Sequence, residues 1–262
     1  MTGGVPYSPW LRAPVAAPGA GVRLVCFPHA GGAASFFRDW PQRLGPRAEV
    51  YAVRYPGRED RIAEPLARTM EDLTVPLADA LAPLFDRPVV FFGHSMGASV
   101  AYETALRLVD RGAGTPAGLL VSGRAAPHRL TATGLGDRDD DALIADVRGR
   151  GGPLAEALDH PDLLDLVLPA IRADYRLLDD YAPRARLRTL DTAVTAYYGE
   201  RDPHVTPDSV RAWSGVSPDR FVSRGFDGDH FYLVPHAAAL AGDVARRLTA
   251  PTPHPHLERT RR

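Results

Sequence analysis

The stretch PVVFFGHSMGASVAYETALRL, residues 88–108, constrains the fold more than any other part of the chain. A near-continuous apolar run ends in Gly93-His94-Ser95-Met96-Gly97, and a helical pattern begins at once. A buried strand that runs straight into a helix, with a serine at the junction and glycines two residues to either side, makes a turn too tight for ordinary side chains. Gly-x-Ser-x-Gly in that setting is a nucleophile elbow. It lifts the serine to the C-terminal edge of a parallel sheet, where open α/β sheets bind their ligands. The bare five-residue pattern is weak, and a chance turn serine is the competing reading; the strand–turn–helix context makes Ser95 the candidate nucleophile. The helix starting at 96–97 aims its positive end at the same place.

The rest of the chain supplies the sheet that such an elbow requires. Short apolar runs at 22–28, 49–57, 118–123, 192–199 and 220–226 join the one at 88–92 as expected strands, none strictly alternating. That texture predicts parallel strands covered on both faces. Helical patterns at 33–44, 69–85, 97–112 and 237–250 fall between them, with Pro41 expected to break the first, Pro76 to kink the second and Gly112 to stop the third. The alternation argues for an α/β fold with a mostly parallel, doubly wound sheet. Only residues 126–182 depart from it. Here Leu163, Leu166, Val167, Ile171, Tyr175 and Leu178 recur at helical spacing, with Pro161 at a first-turn position. An all-helical insert is either a lid over a site or padding along one edge of the sheet. Residues 1–21 read as an N-terminal arm, 22–250 as the domain, and 251–262, PTPHPHLERTRR, as a disordered tail.

Composition narrows the function. The formal net charge is −1, which gives no basis for a nucleic-acid or anionic-membrane partner. Cys26 is the one cysteine, so no internal disulfide forms and a reducing, cytoplasmic setting is expected; inside a strand it is read as a small buried filler. No apolar run is long enough to span a membrane.

A serine hydroxyl is a poor nucleophile near neutral pH and needs a base. In α/β folds with this elbow, the acid and the histidine follow the serine in that chain order. Of nine histidines, His230, in GFDGDHFYLV, lies in a Gly/Asp loop directly after the last expected strand. For the acid, Asp202 in YYGERDPHV leads over Glu200, Asp227 and Asp229; the last two are too close along the chain to orient His230 easily. Backbone donors for a tetrahedral oxyanion are expected from Met96, the residue after the nucleophile, and from Ala30 in FPHAGG, where Gly31 and Gly32 let the backbone approach closely. His29 in that loop is read as shaping it.

Several local patterns then converge. LVCFPHAGGAASFFRDW, VYAVRYPGREDR, FFGHSMGA, LPAIRADYRLLDDY, GERDPHV and GDHFYLV together resemble the type II (external, editing) thioesterases, α/β hydrolases that accompany polyketide synthases and nonribosomal peptide synthetases. The resemblance runs from about Trp10 to about residue 250. It implies the α/β-hydrolase fold, a Ser95–Asp202–His230 triad and a flexible lid. It further implies hydrolysis of misprimed or stalled acyl groups from the phosphopantetheine arm of acyl or peptidyl carrier proteins. No metal or cofactor of the chain's own is expected, the pantetheine belonging to the partner. The family commonly has glycine where this chain has Asp229; the added carboxylate either raises the His230 pKa or faces solvent. A carboxylester hydrolase or lipase on the same fold, or a non-catalytic module that docks to a synthase, are the alternatives. The initiating Met and short arm make a domain cut from a synthase a less favoured expectation. If the insert is a lid, Leu166, Ile171, Tyr175 or their neighbours are expected to face Ser95 and wall an apolar acyl chamber, with Gly151, Gly152 and Pro153 as joints.

Overall fold

The computed structural model describes residues 8–12, 17 and 19–248. Seven strands form one sheet: β1 (Leu11–Arg12), β2 (Arg23–Phe27), β3 (Glu49–Val53), β4 (Val89–His94), β5 (Gly118–Ser122), β6 (Ala193–Gly199) and β7 (Phe221–Phe226). Their order across the sheet is β1-β3-β2-β4-β5-β6-β7, all parallel except β1, which pairs antiparallel with β3. The six expected strands are present, and the arm adds a seventh, two residues long, that caps an edge of the sheet. Residues 251–262, read above as a tail, and the last two residues of the 237–250 helix lie outside the described residues.

Alternate residues of the central strands feed two cores, because successive side chains in a strand point to opposite faces. Val25, Phe27 and Phe91 pack on one face, under α2 (Met70–Leu81) and α3 (Met96–Asp110). Leu24, Cys26 and Phe92 pack on the other, under α1 (Trp40–Leu44) and α8 (Ala237–Leu248). The filler reading of Cys26 holds: it is fully buried. The covering is incomplete at one edge. On β7, the last strand in the sheet order, Val222 is 47% exposed.

The helix boundaries follow local chemistry. Thr69 and Asp72 close a capping box at the start of α2, each side chain accepting from the other's backbone N–H. Gly112, with φ +64, takes the left-handed position just past α3 that a side chain would strain. Pro76 sits inside α2. The expected helix at 33–44 is instead a 3₁₀ turn at 34–37 and then α1, where Pro41 lies in the first turn and starts the helix where a break was expected.

The insert is helical. It comprises α4 (Asp140–Arg150), α5 (Pro153–Ala157) and α6 (Pro161–Tyr181), preceded by two 3₁₀ turns. It has its own small core of Leu143, Val147, Leu158, Ile171 and Tyr175, against which Ala30 of the main domain packs. A short α7 (Pro207–Arg211) follows β6.

Candidate active site

The elbow is built from backbone constraints. Ser95 has φ +53 and ψ −118, one of two non-glycine residues with positive φ among the described residues. A strained angle of this kind persists only where the surroundings impose it. The surroundings are the two glycines: a Cβ at Gly93 would lie 2.2 Å from the Gly97 carbonyl oxygen, and one at Gly97 would lie 2.0 Å from that of Phe27. The turn is tied across the sheet by Ser95 N–H, which donates to the Ser122 carbonyl at the tip of β5 at 2.7 Å. Met96 opens α3, so its N–H belongs to the first turn and has no intrahelical acceptor.

Two loops bring the other chain segments to the same edge. His230 lies in the loop after β7 and Asp202 in the loop after β6, 28 residues apart; His230 Nδ1 is 2.7 Å from Asp202 Oδ2. Both are buried. The second carboxylate oxygen of Asp202 accepts the His204 N–H at 2.9 Å. Burial works to raise the Asp202 pKa, but the hydrogen bond and charge of His230 and the His204 N–H together hold it below the ordinary carboxylate value. Among the four acids weighed from the sequence, Asp202 alone bonds His230. Asp227 and Asp229 point outward, where both approach Arg201. The Asp229 side chain is 69% exposed and faces solvent. Glu200 is exposed and lies beside Gly225 of β7.

Ser95, His230 and Ala30 line one chamber, a cavity of about 60 Å³. Three consecutive donors of the loop after β2 have different fates. Gly31 N–H donates to Asp174 of the insert at 2.7 Å and Gly32 N–H to the His29 carbonyl at 2.9 Å. Among the described residues the N–H of Ala30 has no acceptor.

Two more histidines are close by: His29 itself lines the chamber, and His94 packs against the His230 ring. His29 is wedged edge-on between Phe36 and Phe231, at 4.8 Å from each ring. Burial, with the nearby His230 and Arg58, drives its pKa down to about 3, so it is a neutral spacer across the ordinary pH range. His94 bonds Ser122 Oγ at 2.9 Å, which in turn meets Tyr232 Oη at 2.6 Å. Burial also pushes His94 well below its ordinary value. Its ring lies 5.1 Å from that of His230 and supports it from beneath.

The insert covers the chamber, with corrections to what its sequence suggested. Tyr175 lines the cavity as expected, together with Leu178 and Leu154. Leu166 does not: it is 53% exposed and faces away. At about 100° per residue it lies roughly 140° around the helix from Ile171, and the inward stripe is Leu164, Val167, Leu168, Ile171, Tyr175 and Leu178. Ile171 is fully buried but packs on Gly31 and does not line the chamber. Nor is the chamber purely apolar. Arg124 and Arg150 enter its wall along with Thr131, Thr133 and Asp179. Arg124 donates to Ser99 Oγ at 3.0 Å, and its burial is the main cause of a pKa lowered to about 10. Arg150 pairs with Asp146 at 2.7 Å, and Tyr175 Oη donates to the same carboxylate at 2.7 Å. Gly151 and Gly152, expected as joints, separate α4 from α5, both at positive φ. Among the described residues no group of three His, Cys, Asp or Glu side chains is arranged to hold a metal ion, and no helix is long and apolar enough to cross a membrane.

The sheet order, the elbow and the helical cover define an α/β hydrolase. The chain belongs to the thioesterase family, whose domain model matches residues 22–248. It is 40% identical over 240 residues to thioesterase PikA5 of Streptomyces venezuelae, spanning 91% of this chain and 85% of that one. It is 41% identical over 239 residues to a probable cadicidin biosynthesis thioesterase of Streptomyces griseus, 91% of this chain and 66% of the relative's length. Among solved structures it is similar to the type II thioesterase BorB from the borrelidin biosynthetic cluster, with TM-score 0.80, 38% identity and coverage of 91% and 96%. It is similar also to the RedJ thioesterase from the prodiginine pathway of Streptomyces coelicolor, with TM-score 0.81, 38% identity and coverage of 88% and 87%.

Proposed function

We propose that this protein is a serine thioesterase that hydrolyses misprimed or stalled acyl groups from the phosphopantetheine arm of carrier proteins in polyketide or nonribosomal peptide biosynthesis. The observation that carries the proposal is the His230–Asp202 pair at the wall of the chamber that holds Ser95. The type II thioesterases among its structural relatives support the substrate class. In this reading Ser95 Oγ attacks the thioester carbonyl while His230 Nε2 takes its proton. Asp202 holds the Nδ1–H tautomer and stabilises the imidazolium. The N–H groups of Met96 and Ala30 receive the oxyanion. Collapse of the tetrahedral adduct breaks the C–S bond, and the sulfur leaves as a thiol with the proton from His230. Water, deprotonated by His230, then attacks the acyl-serine; the same donors hold the second adduct, and Ser95 regains its proton as the acid departs. The steps draw on side chains and backbone of this chain alone; the pantetheine is the partner's. A cytoplasmic enzyme acting beside its synthase fits this chemistry.

The cavity is small, at about 60 Å³, so a short acyl group is the first substrate to test.

The deciding experiment compares kcat/KM for one short acyl group carried on pantetheine and as the matching oxygen ester. The thioester is expected to be favoured by at least tenfold, and Ser95→Ala to abolish turnover of both while the protein stays folded. Preference for the oxygen ester would transfer the protein to the carboxylester hydrolases. Failure of a fluorophosphonate to label Ser95 would favour a docking module without catalysis.

A further inference from the structure

The segment Tyr55-Pro56-Gly57-Arg58 is not used by the mechanism above, yet it is built into the loop that carries Ala30. Tyr55 Oη donates to the Pro28 carbonyl at 3.2 Å. The Arg58 guanidinium lies 5.3 Å from the Tyr55 ring centre and donates to the Gly32 carbonyl at 3.1 Å. It also makes a two-pronged pair with Asp174 of α6, Nη1 to Oδ2 at 2.8 Å and Nη2 to Oδ1 at 2.9 Å. The Asp174 oxygen that meets Nη1 also accepts the Gly31 N–H at 2.7 Å. Asp174 is 1% exposed and Arg58 8%, and neither lines the chamber. One turn earlier on α6, Ile171 presses on Gly31, where a Cβ would lie 2.7 Å from its Cγ1.

A buried ion pair is no better for stability than well-packed apolar side chains of the same volume, so its presence calls for another account. The account here is directional. The loop has glycines at 31 and 32, and Gly31 has φ +71, so its own side chains do little to stiffen it. Each peptide unit is planar, so fixing the Gly31 N–H fixes the whole plane that follows Ala30. The neighbouring plane, which carries the Ala30 N–H, also carries the His29 carbonyl that accepts the Gly32 N–H at 2.9 Å, and the plane before that is held by Tyr55 through the Pro28 carbonyl. The donor left over among the described residues is that of Ala30, which lines the chamber together with Ser95.

The geometry points to Arg58 and Asp174 as positioning residues for the Ala30 N–H: α6 of the cover aims the oxyanion donor, and the site is competent only while that helix is seated on the loop. This rests on the reading of Ala30 as an oxyanion donor. A cover built this way links two events. When α6 lifts to admit an acyl group, Asp174 leaves Gly31 and the donor is freed; when it closes, the donor is reset.

The test separates aim from architecture. Losing an oxyanion donor outright costs about 10²–10³ in kcat, so a misaimed one is expected to cost about 10–100-fold. Asp174→Ala should lower kcat on a short acyl-pantetheine by that factor with KM within threefold of wild type, and Asp174→Asn, which keeps one acceptor, by less. Affinity for an alkyl boronic acid, which forms a tetrahedral adduct with Ser95, should fall in step with kcat. Affinity for the planar product acid should not change. Asp174→Ala strands a buried guanidinium, so the double variant Arg58→Met/Asp174→Leu, with both charges removed, is measured alongside. Either variant, folded by circular dichroism and with kcat and boronate affinity within threefold of wild type, overturns the proposal. So does a parallel loss of product-acid affinity, which would mean a damaged chamber. Fluorophosphonate labelling rates keep this result apart from the thioesterase reading. If wild type is labelled at Ser95 but hydrolyses no acyl-pantetheine, that reading fails, while a 10–100-fold slower labelling of the variants still supports the positioning role. If Ser95 in wild type is not labelled, both fail.

Discussion

The two halves of this site are held in different ways. The elbow half is local: Gly93, Ser95 and Gly97 stand within five residues, and the strained Ser95 backbone is imposed by main-chain atoms 2.0–2.2 Å from where side chains would begin. The cover half is assembled at long range. Asp174 reaches Arg58 across 116 residues and Gly31 across 143, through hydrogen bonds and a core of five buried side chains. A sheet edge wedged by backbone contacts cannot adjust by small steps, since close-packed interiors tolerate little change in shape. The cover meets the loop after β2 through directional contacts at Asp174, while Leu177 and Tyr181 at the far end of α6 are anchored in the main core. The difference teaches where rigidity and movement belong in a hydrolase whose substrate must enter a covered chamber.

Four outcomes would break or sharpen that contrast. The largest concerns Asp202, the acid that orients His230 beside the elbow. Asp202→Asn leaves the shape of the loop but offers the wrong hydrogen-bond pattern to His230; a comparable change in another triad costs about 10⁴ in kcat. Stopped-assay turnover near the wild-type rate, together with a severe loss in Glu200→Gln, would mean that the acid has been misassigned.

Next is the elbow itself. Gly97→Ala places a methyl group 2.0 Å from the Phe27 carbonyl oxygen, and the nearest atoms are all backbone of Phe27 and Pro28, with no flexible side chain to yield. A loss of more than about 4 kcal/mol is expected, the size reserved for a named steric or burial fault. Urea titration that finds less than 1 kcal/mol would show the elbow to be adjustable after all, and the contrast with the cover would lose its basis.

The third concerns acid. His29 is held neutral, with a pKa near 3 against about 6.5 in the unfolded chain. Between those values the unfolded chain binds more protons, so stability rises with pH and is lost as pH falls from 6.5 toward 3. The slope from this one side chain approaches about 1.4 kcal/mol per pH unit, and His94 adds to it in the same direction. Denaturation at pH 7, 6 and 5 should show that slope in wild type and a shallower one in His29→Leu; equal slopes would mean that His29 is protonated in the folded protein.

The smallest effect is expected on the outer face of the cover. Leu166→Ala removes an exposed side chain and should change stability by less than about 0.5 kcal/mol, with no shift in the acyl lengths accepted. A changed chain-length profile would mean that α6 turns another face to the chamber when substrate is bound.

Much of this was legible without coordinates, because it depends on short-range rules. Ser95 could be placed from five residues, since only a tight strand-to-helix turn requires that pattern of glycines. His230 and Asp202 could be placed from chain order and from their positions after successive strands; the structure brings them within 2.7 Å of each other. The strands were legible as apolar runs, and the doubly wound order followed from their alternation with helices. One signal was present and unread. Within LPAIRADYRLLDDY, Asp174 falls on the same helical face as Ile171, Tyr175 and Leu178, and a carboxylate on an apolar stripe calls for a buried cationic partner.

What the sequence could not decide is which residues meet across long separations. The periodicity of α6 identified a helix with an apolar side but left its rotation open, so Leu166 and Ile171 looked equivalent; packing against Gly31 and the small core of the cover turned one inward and the other out. The pairing of Arg58 with Asp174, the approach of Arg124 and Arg150 to the chamber, and the edge strand at Leu11–Arg12 likewise depend on the path of the chain between them. Local geometry is written in spacing, because a few residues fix their own backbone angles. The fit of a helix onto a loop 143 residues away depends on shape and burial that exist only once the sheet between them has formed.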